Sequence, residues 1–260
     1  MSIINSWKRF KKNQFLFEEL VKRDFKQKYK RTILGMGWSV LSPLLTLLVL
    51  KLVFGFYFGR HIEHYTIYLF CGNLLFSYFK ESTTTGMNSL MSNASIFSKI
   101  NVPKYLFLFS KNISTLINFG LTMIIFFIFV FLDDISYGPH FLMLVFPVFC
   151  LILFNLGMGL ILSALFVFFR DISYLYSIFT MLLMYMSAIF YDINIVPERF
   201  RFLFYFNPIY CYIEYFRNIV IQAEIPSLLY HALCLGYGIL AFCIGCLIYK
   251  KKNHKFLYYI

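Results

Sequence analysis

Apolar positions recur along this chain in two different rhythms. Near the N-terminus, Phe17, Leu20, Val21, Phe25 and Tyr29 fall at helical spacing, while Lys22, Arg23, Lys26 and Lys30 fall elsewhere. A helix with one apolar stripe and one cationic face suits the membrane–water interface. From Gly37 onward the rhythm gives way to long apolar runs with few charges. The stretch 20–43, LVKRDFKQKYKRTILGMGWSVLSP, carries the chain from one regime to the other. It predicts a surface helix that turns and enters the bilayer, with the remainder built onto that corner.

Crossing a bilayer takes about 20 apolar residues in a helix. Six stretches qualify: 37–58, 67–85, 105–132, 141–169, 174–191 and 228–249. The second is less purely apolar and has Lys80 and Glu81 near one end; Pro43 sits in the first turns of the first, where its missing donor costs little. The third and fourth exceed one bilayer crossing, so each is expected to tilt, bend or project. The segment 192–226 is rich in aromatics but interrupted by Pro197, Pro208, Glu214 and Arg217. It is too polar to span and too apolar for a free loop. Two short re-entrant helices, broken at Asn207–Pro208, would satisfy the backbone and bury the rings. The expected fold is an all-α integral membrane protein with six transmembrane helices and an N-terminal amphipathic interface helix. No internal repeat or linker divides it. One domain, 1–260, is expected, with the interface helix in 1–36, the six-helix region in 37–249 and a tail in 250–260.

Composition agrees: 60% of residues are hydrophobic, 22% aromatic and only 14% charged, against roughly 25% charged in soluble domains. The formal charge of +12 is placed at the edges of apolar runs, which is the pattern of membrane orientation and not of a nucleic-acid groove. With the N-terminus inside, 19 of the 24 Lys and Arg lie in inside segments, four lie outside, and Lys51 falls within a span. The orientation expected is therefore N- and C-termini in the cytoplasm. No cleavable leader is evident. Five of the six cysteines sit in apolar runs and are read as lacking acidic or histidine neighbours at ligand spacing, and the Cys243–Cys246 pair inside an apolar run is weak as a metal motif. They read as small buried hydrophobes with no metal site.

The corner segment resembles the signature of the type-2 ABC exporter permeases that secrete cell-surface polysaccharides, a group that includes the O-antigen, capsule, rhamnan and teichoic acid exporters. The resemblance rests on Arg23, Asp24, Phe25 and Tyr29, followed by Leu34, Gly35, Trp38 and Pro43. It extends to Phe169-Arg170-Asp171-Ile172 and to Asn207-Pro208 with Glu214 and Arg217, so it covers nearly the whole chain. At Ser187-Ala188-Ile189 the chain departs from the S-P-I frequent in that group and carries no proline to kink the helix. The resemblance implies a homodimer in the bacterial cytoplasmic (inner) membrane, two copies of a cytoplasmic ABC ATPase that bind the ATP and Mg, and a polyprenyl-diphosphate-linked polysaccharide as substrate. The chain has no G-x-x-x-x-G-K-[ST] phosphate loop, so it is expected to be a channel-forming subunit and not an enzyme.

Candidate residues follow from position and chemistry. Arg23, Asp24, Lys26, Tyr29, Lys30, Arg31 and Trp38 are candidates for a substrate entrance, where cations attract a diphosphate; the plainer reading is a lipid-surface anchor. The segment 93–104, NASIFSKINVPK, is the candidate coupling helix, with Ile96, Phe97, Lys99 and Ile100 pushed by the ATPase. Arg170 and Asp171 read as a helix end with its own salt bridge, or as a second ATPase contact. Lys51, about 20 Å along the first span, with Tyr191, Phe206, Tyr210, Glu214 and Arg217, is assigned to a channel or dimer interface, because a cation at that depth needs water or a partner. Aromatic faces on spans one and five and within 200–215 are candidates for sugar stacking. Competing functions are an exporter of small hydrophobic molecules, a membrane enzyme acting on polyprenyl-linked sugars, and a proton-coupled transporter. The enzyme would need clustered acids, which are scattered here, and the proton-coupled transporter would need deep ionisable groups, of which Lys51 is the one present and a poor proton relay by itself.

Overall fold

The computed structural model describes residues 11–30, 32–59, 62–97, 99–100, 102–252 and 255–259. The candidate Arg31 lies outside them, as does the side chain of Phe97. Among the described residues every regular element is helical. The α-helices are α1 (Gln14–Tyr29), α2 (Trp38–Phe58), α3 (Tyr65–Asn88), α4 (Ala94–Phe97), α5 (Tyr105–Leu132), α6 (Val145–Phe168), α7 (Ile172–Met186), α8 (Glu198–Arg201), α9 (Pro208–Val220), α10 (Leu228–Lys252) and α11 (Phe256–Tyr259). Among the described residues four helical segments are long and apolar enough to cross a membrane: Gly35–Phe58, Tyr105–Leu132, Pro139–Phe168 and Leu228–Lys252. α3 is as long but more polar, and α7 is apolar but has only 15 residues.

The centre of the bundle is α3, α5, α6 and α10, with α9 inserted at one end. α6 and α10 lie backbone to backbone because small residues line the seam: a Cβ on Gly157 would come within 2.3 Å of the Ala241 carbonyl carbon. Close approach of this kind substitutes packing for a hydrophobic drive that lipid does not provide. A large core cluster joins α3, α5, α6 and α9. A second cluster at the other end joins Leu20 of α1 to Leu90, Phe107, Leu160, Tyr249 and Phe256. By contrast α2 buries only Ser39 and Leu47, and α7 only Tyr176 and Thr180. These two helices leave most of their apolar side chains uncovered.

The segment 192–226 contains two short helices that break at Asn207–Pro208, as its prolines predict. Their environments differ. The first half leaves Phe200, Phe202 and Phe206 exposed, whereas α9 is buried on nearly every side. Asn207 caps α9, accepting from the backbone N–H of Ile209 at 3.0 Å and of Tyr210 at 3.4 Å, and Pro208 occupies the first helical position. Four cysteines are buried, as the sequence suggests, but Cys243 and Cys246 are exposed on α10, because they lie off the face of Gly238, Ala241 and Gly245 that packs against α6.

Candidate functional site

The helix α1 runs against α5, and its stripe packs as its spacing dictates: Leu20 and Tyr29 are buried, while Lys26 and Lys30 are exposed. The stripe also contains an acid. Asp24 follows Leu20 by four residues and so falls on the same face, with its side chain 1% exposed. A buried carboxylate persists only with partners, and Asp24 has several. Arg23 donates to Oδ1 from Nη2 at 2.8 Å, Lys111 of α5 donates to Oδ1 at 3.0 Å, and the Ser110 hydroxyl donates to Oδ2 at 3.1 Å. Tyr29 donates to Asn118 Oδ1 at 2.7 Å, and Lys28 pairs with Glu81 of α3 at 2.6 Å. Asp24 and Tyr29 thus fasten the surface helix to the bundle, and Lys26 and Lys30 face outward. The chain leaves α1 through an extended Lys30 and a left-handed Gly35 at φ 51°, then starts α2 at Trp38, which is 39% exposed.

The coupling segment holds the four-residue α4. Its expected apolar side is divided: Ile96 packs inward against the second core cluster, while Lys99 and Ile100 are exposed. Asn93, buried just before α4, accepts from Arg23 Nη2 at 2.7 Å, so α1 and this segment are directly joined. Arg170 and Asp171 are exposed between α6 and α7, near the same end. Among the described residues no ion pair joins them. The salt bridge expected there does not form because Phe169 is extended and both side chains stand in the open. Beside them, burial pushes the Lys104 ammonium below the usual lysine range, with the Phe256 ring 5.4 Å from its Nζ.

At the opposite end the interface candidates separate. Lys51 and Phe206 are exposed, Tyr191 and Glu214 half-buried. Tyr210 and Arg217 instead lie inside the protomer at 2% exposure, because α9 is a core helix and not a surface one. The Arg217 guanidinium sits 3.4 Å from the Tyr68 ring centroid and donates to three carbonyls: Ala188 at 2.9 Å, Ile189 at 3.1 Å and Tyr68 at 3.2 Å. Gly72 makes room for it, since a Cβ there would lie 3.0 Å from Nη2. Tyr65 and Tyr68 donate to the carbonyls of Phe190 at 2.9 Å and Tyr191 at 2.7 Å, and Asn207 Nδ2 donates to that of Met186 at 3.1 Å. The end of α7 is therefore broken without proline: Ala188 adopts φ 48°, and the carbonyls released by the break are taken up by side chains. Sequence spacing did not point to Tyr65, Tyr68, Lys111 or Asn118, whose partners lie far away in the chain. Asp24, already named from the corner motif, carried a local signal for its buried place as well, its register with Leu20.

Among the described residues no cluster of His, Cys, Asp or Glu is arranged to hold a metal. Residues 16–221 match the family described as ABC-2 type transporter. Two proteins from Klebsiella pneumoniae, each named O-antigen export system permease protein RfbA, are 28% identical over 251 residues, covering 93% of this chain and 95% of theirs. A protein of the same name from Myxococcus xanthus is 27% identical over 139 residues, covering 53% of this chain and 52% of its own.

Proposed function

The chain belongs to the ABC-2 type transporter family, and from that premise we propose that it is the permease subunit of an ATP-driven exporter for a polyprenyl-diphosphate-linked cell-surface polysaccharide. The proposal takes in a bacterial cytoplasmic membrane, both termini inside, a single domain with six crossings formed by α2, α3, α5, α6, α7 and α10, and two copies of the chain served by two cytoplasmic ATPase subunits that bind ATP and Mg. The observation that carries it is the bareness of α2 and α7, which bury two residues each while α3, α5 and α6 are packed within the protomer. Such faces suit a second copy and a path between the two. The relatives' printed role in O-antigen export supports a glycan as cargo.

In this reading α1 forms the cytoplasmic lip of the entrance. Lys26, Lys30 and Arg31 attract the diphosphate, and Tyr29 and Trp38 border its way past the corner. Asp24 and Arg23 hold that lip to α5 and to the segment that meets the ATPase through Ile96, Phe97, Lys99 and Ile100, with Arg170 and Asp171 beside it. The bond between Arg23 and Asn93 gives a short mechanical route from ATPase to lip. Lys51 and Phe206 face the path or the second copy. Glu214 and Tyr191 border the outer end.

Reconstitution tests the reading. With its ATPase partner in vesicles the chain is expected to move lipid-linked glycan only when ATP is hydrolysed, and alone it is expected to hydrolyse none. Movement of glycan without hydrolysis, or hydrolysis by the chain alone, overturns it.

A further inference from the structure

Glu214 and Arg217 stand one turn apart on α9, and the ion pair that their spacing favours is not made. The Arg217 guanidinium is buried and spends Nη1 and Nη2 on the carbonyls of Ala188, Ile189 and Tyr68, yet its Nε has no acceptor. Glu214 is half-buried, and among the described residues no ion pair or hydrogen bond reaches its carboxylate. Asp192, the acid nearest in effect, brings no donor, being itself engaged by the Asn194 N–H at 2.9 Å. Residues at i and i+3 on a helix have Cβ atoms about 5–6 Å apart, within reach of a salt bridge. A cation with a spare donor and an acid with spare acceptors therefore share one turn, and Arg217 is drawn instead to the end of α7.

What Arg217 holds there is strained. α7 ends at Met186 after 15 residues, about 22 Å of helix, whereas the hydrocarbon of a bilayer is about 30 Å thick. The apolar run continues to Tyr191, and a helix from Ile172 to Tyr191 would have 20 residues, the length of one crossing. Ala188 interrupts it at φ 48°, a left-handed conformation that is unfavourable for alanine. Such strain persists only where the surroundings impose it. The left-handed turn swings the Ala188 and Ile189 carbonyls off the helix direction and onto the guanidinium. The fit has little slack, since a Cβ on Gly72 would lie 3.0 Å from Nη2 and 3.3 Å from the Ile189 Cα. We infer that Arg217 is a two-position switch for the length of α7. On the carbonyls of Ala188 and Ile189 it keeps the helix broken; on Glu214 it frees Ala188 to turn right-handed and lets the helix rewind to Tyr191. The consequence for a glycan path, whose outer end Tyr191 and Glu214 border, rests on the exporter reading above; the switch itself does not.

Distances across the break test it. The full chain with its two exposed cysteines removed, Cys243→Ser and Cys246→Ser, carries nitroxides at Tyr174→Cys and Ile195→Cys, exposed positions on either side of the break. Diluted with unlabelled chain in phosphatidylcholine nanodiscs, without ATP, ATPase or glycan, it reports the distance within one copy by double electron–electron resonance. Gly72→Ala crowds Arg217 off the carbonyls. Arg217→Lys adds no bulk and removes the fork that holds them. Each variant is expected to raise a second distance population at least about tenfold relative to the first, the effect of losing one hydrogen bond to a charged group. Adding Glu214→Gln to either variant should take that gain away, because the neutral amide no longer holds the cation. Either variant suffices if the other fails to fold. One unchanged distance in the folded variants overturns the inference, and so does a gain that survives Glu214→Gln, which is what a merely loosened α7 would give. Because no transport is measured, failure of the exporter reading would leave these distances unchanged.

Discussion

At the scale of single residues, the most consequential group is an acid placed among apolar side chains. Asp24 holds Arg23, Lys111 and Ser110 at once, so Asp24→Leu leaves two cations facing each other beside α5. Breaking a buried pair costs about 3–5 kcal/mol. Arg23 and Lys111 keep 39% and 20% of their side-chain surface, so water takes back part of that cost and about 2–3 kcal/mol is expected as a lower melting temperature in detergent. Adding Lys111→Met to Asp24→Leu should restore a good part of the loss, since the partner charge is removed with it. A second residue-scale prediction concerns Ala188. Its φ of 48° lies in a region a proline ring cannot reach. Ala188→Pro, which recreates the S-P-I frequent in the polysaccharide exporter group, should therefore destabilise this chain by about 3 kcal/mol or more, read as loss of folded protein on size-exclusion chromatography. Unchanged yield would mean that the break after Met186 does not need the left-handed turn.

Among the elements, legibility followed the range of the interactions that set each boundary. α5 occupies 105–132, as its uninterrupted apolar run predicts, and α10 begins at Leu228 as expected. α7 stops at Met186, five residues before the end its apolarity suggests, because Arg217, Tyr65, Tyr68 and Asn207 capture the carbonyls beyond it. Arg217 and Tyr68 are 149 residues apart, and no local pattern announces such a pair. For the same reason the sequence placed Arg217 at an interface when it is buried, and marked Ile96 as part of an outward apolar side when it packs inward. That difference sharpens the coupling test. Ile96→Asp would injure the core cluster as well as any docking surface, whereas Ile100, 45% exposed, can be changed alone. Ile100→Asp is expected to lower transport at least tenfold while leaving the melting temperature within about 1 °C, since exposed substitutions shift stability by less than about 0.5 kcal/mol. Normal transport by this variant would remove 93–104 from the coupling role. The seam between α6 and α10 yields a further prediction. Gly157→Ala forces a methyl group into the Ala241 backbone and should cost about 1–3 kcal/mol, whereas Gly236→Ala on the same α10 meets nothing within 4 Å and should be neutral or slightly stabilising.

For the whole molecule, the question is what covers α2 and α7. Each buries two residues and exposes a ladder of apolar side chains, Leu48, Leu52 and Phe56 on α2 and Ile178, Leu182 and Tyr185 on α7. Lipid could cover them as well as protein, because hydrocarbon is as apolar as leucine and exerts no hydrophobic push between helices. Lys51 tips the argument. It is exposed on α2, between Leu48 and Leu52 in sequence, and a cation at the centre of a helix facing lipid costs about 2.5–3.5 kcal/mol, which water or a protein partner would lower. A second copy with a hydrated path beside it relieves that cost, and the same path is what a glycan needs. Nitroxide labels at Leu52 and Leu182 should then be poorly reached by oxygen, which dissolves in lipid, compared with labels at Leu240 on α10 and Ile124 on α5, which are exposed with no charge beside them. A water-soluble relaxation agent should reach Lys51→Cys more readily than either α5 or α10 position. If oxygen reaches all four helices alike, α2 and α7 face lipid, and a single-copy assembly with Lys51 reaching toward the surface replaces the paired one.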